Sequence, residues 1–309
     1  MKFLQNPIIL IVLMFSITQI LGLAAGILLM SNAAADPNVQ IISVSPIEDS
    51  ESPLNAVLMI GYVLFGAALA LIVIKYFRTK ILFRILELGV VGGTVSVLCF
   101  SFIFAFTPLD FFTSMTVSII LGGSFAIAKF FYTSLKNYAA ILSSAGVAAI
   151  FGFSMGFWPA LLFIVGLSAY DYWAVFKTRH MLTLAQGLST NELSFTVTAT
   201  TNEYSNKARS NEHANTSQSH EYTRKPNPDE VSRLDLGSGD LAVPAMLAVS
   251  VFPVAGIVGS LAVVFGSIVS IYLTLKFVVE KHIVLPALPP ICLGALIALL
   301  ISQLILMVI

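Results

Sequence analysis

Residues 239–278 read GDLAVPAMLAVSVFPVAGIVGSLAVVFGSIVSIYLTLKFV. A membrane helix needs roughly 20 mostly apolar residues to cross about 30 Å of hydrocarbon. Read as two spans, Gly239–Phe252 and Val254–Val278 parted by Pro253, this stretch brings the whole chain to nine spans; read as one, it leaves eight. The other apolar runs are Ile8–Met30, Leu54–Ile74, Ile85–Phe106, Phe112–Phe131, Tyr138–Phe153, Phe157–Phe176 and Leu285–Met307.

Charge decides between the two counts. With nine spans, all 16 Lys and Arg fall on the side of the N-terminus, from Lys2 through Lys75, Arg84, Lys129 and Lys177 to Lys281. The other side carries Asp36, Glu48, Asp49, Glu51 and Asp110, and no basic residue. An error of one span in the middle would scramble that pattern. The positive-inside rule then puts the N-terminus and the long loop in the cytoplasm and the C-terminus outside. The expected fold is an all-α polytopic membrane protein of nine transmembrane helices, multi-pass in the cell membrane.

Composition agrees. The 309 residues are 57% hydrophobic and 10% charged, with a mean hydropathy of +0.92, whereas soluble domains carry about a quarter charged residues. Sixteen basic residues against 16 acidic ones leave no basic surface for nucleic acid. Cys99 and Cys292 both lie in apolar runs and suggest neither a disulfide framework nor a metal site. With no Gly-rich phosphate loop, zinc spacing or internal repeat, no metal or organic cofactor is implied. The first apolar run, of about 23 residues, exceeds the 7–15 of a secretory signal and reads as a span.

Three regions follow: 1–176, six spans ending near Tyr170-Asp171; 177–237, a cytoplasmic flexible loop; and 238–309, three spans. Within the loop, His180–Leu188 continues the sixth helix along the membrane face, and Ser194–Thr198 alternates apolar and polar residues as a short strand does. Residues 201–230 have a linker's composition. The sequon at Asn215 lies on the cytoplasmic side and is a chance match.

Acids inside spans need a reason, since an Asp at a helix centre costs about 2.5–3.5 kcal/mol to insert. Glu87 lies three residues from Arg84 and is expected to pair with it on one helix face. Asp171 lies about 9 Å inside the cytoplasmic end of its span, counting back from Lys177. Asp240 sits where the chain re-enters the membrane from that same side, so the two acids share a depth. Leu285-Pro286-Ala287-Leu288-Pro289-Pro290 opens the ninth span there too. Taken singly, these are a helix cap, packing glycines and an N-terminal proline run. Their convergence at one depth marks a site.

Two carboxylates close together in a poorly solvated place share a proton. The ionised one takes a proton from water while the neutral one donates to a carbonyl oxygen, as hydrolysis without a covalent intermediate requires. Gly237 and Gly239 leave room for an extended backbone near Asp240, and the prolines keep the start of the ninth span irregular.

Tyr170-Asp171 in the sixth span, Gly237-Ser238-Gly239-Asp240 opening the seventh and Pro286-Ala287-Leu288 opening the ninth resemble the presenilin and signal peptide peptidase family of intramembrane aspartyl proteases. Ser144–Gly152 and Thr178–Gly187 are similar to archaeal members. The likeness is strong from Leu142 onward; earlier spans agree in number and hydropathy. It implies Asp171 and Asp240 as the catalytic pair, and Tyr170, Gly237, Ser238, Gly239, Pro286, Ala287 and Leu288 as substrate-binding. Ser238 stands where presenilins usually carry Leu, which bears on substrate preference. The implied substrates are single-span membrane proteins or peptides within the lipid bilayer, with no obligatory subunit evident. The family also suggests that Phe195–Thr198 and the segment before Gly237 form strands that pair with an unwound substrate. The rival readings are a proton-coupled transporter, which would show inverted repeats, a prepilin-type Gly-x-Gly-Asp peptidase and a non-catalytic scaffold.

Overall fold

The computed structural model describes residues 7–47, 49–76, 80–173, 196–200, 233–281 and 286–308. Among the described residues the α-helices are α1 (Pro7–Ala35), α2 (Pro53–Tyr76), α3 (Lys80–Phe106), α4 (Phe111–Phe131), α5 (Lys136–Ser154), α6 (Phe157–Trp173), α7 (Ser238–Lys281) and α8 (Leu288–Val308). A two-stranded sheet, β1 (Thr196–Thr200) and β2 (Arg233–Gly237), precedes α7. The helices are apolar all round because lipid on the outside is as apolar as the core. Phe112, Phe265 and Leu300 are accordingly exposed, with hydrocarbon rather than water as their solvent.

Among the described residues, six elements are long and apolar enough to cross a membrane: α1, α3, α4, α5, α7 and α8. The described part of α6 has 17 residues, and the last three residues expected of its span lie outside the described residues. α7 counts once by length, yet it folds back on itself. At Gly256 the backbone takes φ 63° and ψ −167°, a left-handed conformation open to glycine. A Cβ on Gly259 would lie 3.2 Å from Val251 Cγ1, whereas residues eight apart in a straight helix are about 12 Å apart. The turn expected at Pro253 therefore falls three residues later. Proline constrains φ but cannot supply a positive value, and glycine can.

Small residues set the packing. Gly26 of α1 and Gly152 of α5 both face Val249 of the first arm of α7, so close that an added Cβ would lie about 2.4 and 2.5 Å from its side chain. Gln19 Nε2 donates to the Leu241 carbonyl at 2.8 Å, so α1 runs parallel to this arm. Leu23, Ala148, Met246 and Val249 share the buried core between them. The second arm runs antiparallel to α8, with Gly266 against Gly294 and the Ser270 hydroxyl donating to the Pro290 carbonyl. On the far side of α5, α3 and α4 are antiparallel, meeting at Gly92 and Gly122.

That last pairing corrects one expectation. Lys129 of α4 forms an ion pair with Glu87, and the Arg84 guanidinium lies over the Phe130 ring, 5.2 Å from its centroid. The nearest cation along the sequence is thus not the partner seen, because the antiparallel neighbour brings another to the buried face.

β1 and β2 pair antiparallel, with Thr196 opposite Gly237 and Val197 opposite Leu236. The expected alternation thus becomes a strand, and the segment before Gly237 becomes its partner. Phe195, the helix expected over His180–Leu188 and the linker over 201–230 lie outside the described residues.

Candidate active site

β2 runs directly into α7. Gly237 is its last residue, Ser238 opens the helix, and Asp240 lies in the first turn. Both flanks of Asp240 are pinned. Leu236 and Leu241 are buried against Ile291 of α8 and Ala140 of α5, with Ala287 packed alongside. The Ser144 hydroxyl of α5 donates to the Ser238 carbonyl at 3.0 Å, and Gln19 holds the carbonyl of Leu241. Between these anchors the Asp240 carboxylate turns back toward the strand and accepts from the Gly237 backbone N–H. Its Oδ2 lies 3.2 Å from where a Cβ on Gly237 would stand. A side chain there would press on the carboxylate.

Asp171 is half-buried near the end of α6. The backbone N–H of Leu288 donates to its carboxylate. Leu288 is the first residue of α8, and the first N–H groups of a helix have no partner inside it. An anion also suits the positive end of the helix dipole. Pro289 and Pro290 lose nothing at this position, since their missing N–H groups would have had no intrahelical acceptor. Pro286 is buried and Ala287 half-buried ahead of the helix. Leu288 itself is locked into the core with Phe163, Ile164 and Val243. The proline-rich segment therefore aims one backbone donor at the acid of another helix.

Asp171 and Asp240 lie within electrostatic reach of each other. Cys292, one turn into α8, lies beside Ser168 and within reach of both carboxylates. Ser168 precedes Asp171 by one helical turn, and its hydroxyl oxygen is buried. Sequence reasoning left these two residues out. The i, i+3 spacing to Asp171 and the i, i+4 spacing to Leu288 were the available signal.

The remaining expected residues sit as follows. Tyr170 is half-buried on α6, the Ser238 side chain is half-buried, and Gly239 is exposed with nothing within 4 Å of a Cβ. Among the described residues, the backbone beside Asp240 is thus open on that side. Among the described residues, no group of three or more His, Cys, Asp or Glu gathers into a set that could hold a metal. The arrangement offers two carboxylates on facing helices, each tied to a backbone N–H, at the start of a short sheet.

A family model described as "Signal-peptide peptidase, presenilin aspartyl protease" matches residues 8–308. Two solved structures described as a presenilin family intramembrane aspartate protease are similar in fold. The one in space group C222 has a TM-score of 0.63 at 21% identity, covering 97% of this chain and 100% of that one. The one in space group P2 has a TM-score of 0.60 at 24% identity, covering 95% and 96%. No curated protein matches.

Proposed function

The chain belongs to the signal-peptide peptidase and presenilin family of aspartyl proteases, and we propose that Asp171 and Asp240 carry its endopeptidase chemistry. It is an integral multi-pass membrane protein and an aspartic endopeptidase. The observation that carries the assignment is the pair of carboxylates on α6 and α7, within electrostatic reach and each held by a backbone N–H from a different element.

One carboxylate, ionised, accepts a proton from water as the water attacks the scissile carbonyl carbon. The other, protonated, donates to the carbonyl oxygen; the proton taken from water then passes to the leaving nitrogen as the C–N bond breaks, and a hydroxyl proton of the gem-diol returns to the second carboxylate. The backbone donors from Gly237 and Leu288 keep both side chains aimed without using up either proton. Nine crossings with a cytoplasmic N-terminus place this dyad near the cytoplasmic face. That count takes α2 and α6 as spans and the two arms of α7 as one span each.

A helical substrate hides its amides in the i to i−4 ladder and must unwind to be cut. The two described strands pair along one edge each, which leaves backbone donors and acceptors on the other edge. An unwound segment of a single-span substrate added there would run toward Asp240. The open face at Gly239 suits its approach. Deleting Ser194–Ala199 is expected to abolish cleavage while leaving the helices folded; full cleavage after the deletion would remove the strand from the mechanism.

The direct test uses purified protein in liposomes with a single-span reporter, comparing the parent with Asp171→Ala and Asp240→Ala. Mass spectrometry should find cuts inside the reporter's span in the parent alone. Cleavage persisting in either variant would break the dyad.

A further inference from the structure

Away from the two aspartates, a cavity of about 440 Å³ lies between α3 and α4. It runs along α3 from Leu88 to Phe100, a rise of about 18 Å. Its walls are apolar, and nothing stands within 4 Å of a Cβ at Gly89, Gly93 or Gly123, all of which line it. The rim is open to the surroundings of the bundle: Leu88, Met115 and Ile119 are all exposed. Left empty, such a space would forfeit the dispersion contacts of its whole lining, and an apolar cavity does not hold water.

At the cytoplasmic end Leu88 also belongs to a small recess lined by Arg84, Glu87, Lys129 and Phe130. Among the described residues, two cations face one anion there. Lys129 is engaged with Glu87, whereas Arg84 is exposed and laid flat on Phe130. A guanidinium held in a plane presents its forked donors to a phosphate.

We propose that this cavity is a lipid site, taking one hydrocarbon chain of an anionic phospholipid whose phosphate rests on Arg84. The size decides the occupant. A cavity of about 440 Å³ along about 18 Å of α3 suits one hydrocarbon chain. A helix about 10 Å across would fill about 1,400 Å³ over the same length. The charge decides the headgroup, since an uncharged or zwitterionic one would leave the excess cation of the recess uncompensated. The site is independent of the protease chemistry, because no residue around Asp171 or Asp240 lines it.

The test is native mass spectrometry of the purified full-length protein in detergent, offered phosphatidylglycerol or phosphatidylcholine with identical chains. The parent is expected to retain one phosphatidylglycerol about tenfold more than phosphatidylcholine. Arg84→Gln should equalise the two. Gly93→Leu and Gly123→Leu, which fill the channel from opposite walls, should each cut retention of both lipids about tenfold while the lipid-free melting temperature stays within a few degrees of the parent. Equal retention of both lipids by the parent would overturn the headgroup assignment. Unchanged retention in both leucine variants would overturn the chain site. A dimer lost in those variants would make the occupant a second copy, and misfolding of both would show that the space is not open; either result ends the proposal.

Discussion

Ser144 of α5 donates its hydroxyl to the backbone carbonyl of Ser238 at 3.0 Å, two residues before Asp240. The contact ties the first turn of α7 to a helix packed parallel to it. It joins Gln19 on the other side of the same turn, so the acid is positioned by polar contacts from two helices and by two buried leucines.

Removing that tie separates positioning from folding. A single hydrogen bond contributes about 1 kcal/mol net, and the close packing of Gly152 on Val249 remains. Ser144→Ala should therefore lower the melting temperature by only a few degrees. Its kcat on a single-span reporter should fall several-fold with KM unchanged. A melting temperature collapsing in step with activity would assign Ser144 to folding alone.

The α1–α7 contact makes a sharper stability prediction. The three atoms nearest a Cβ on Gly26 all belong to the Val249 side chain, the closest at 2.4 Å. Gly26→Ala should cost about 1–3 kcal/mol, as overpacking does. Val249→Ala in the same chain should recover most of it. At Gly152 the same rescue should be weaker, because the Met246 carbonyl also stands 2.8 Å from the new Cβ and backbone cannot be trimmed away. Thermal unfolding of the three single and two double variants reads the coupling directly.

The Glu87–Lys129 pair is buried within the helix bundle. Lys129→Met removes the ion-pair partner of a buried carboxylate and should destabilise by about 3–5 kcal/mol. Replacing both, as Glu87→Leu with Lys129→Met, should leave the protein close to the parent in melting temperature. A double variant as unstable as Lys129→Met would mean that the pair is needed for more than mutual neutralisation.

Acid pH should loosen one defined place. Asp110 caps α4, accepting from the Thr113 hydroxyl at 2.6 Å and from its N–H at 3.2 Å, and these bonds hold its carboxyl below the usual carboxylate range. A carboxyl lowered in the folded state stabilises fully above its unfolded pKa of about 3.9 and loses that contribution as pH falls through the folded value. Hydrogen exchange in the first turn of α4 should quicken below about pH 4 relative to its centre. In Thr113→Val that change should begin at higher pH, because the largest cause of the lowering is gone.

Hydropathy alone located nearly every helix, and the reason is solvent. In hydrocarbon a backbone must satisfy its own hydrogen bonds, so a long apolar run has one local solution, the helix. The motif residues around Asp171, Asp240 and Pro286 were legible for the related reason that a carboxylate or a proline run in such a stretch is costly without a use. What the sequence could not say was who meets whom. Glu87 has Arg84 three residues away, yet the ion pair seen is with Lys129, because α3 and α4 pack antiparallel. Pro253 looked like the turn in α7, yet the reversal waits for Gly256, the residue able to take positive φ. The aim of the Leu288 N–H at Asp171 exists only once helices far apart in sequence lie side by side, and the channel beside Gly93 only once α3 and α4 pack together. Local chemistry determined the elements; distances between elements, which no local rule contains, were settled by packing.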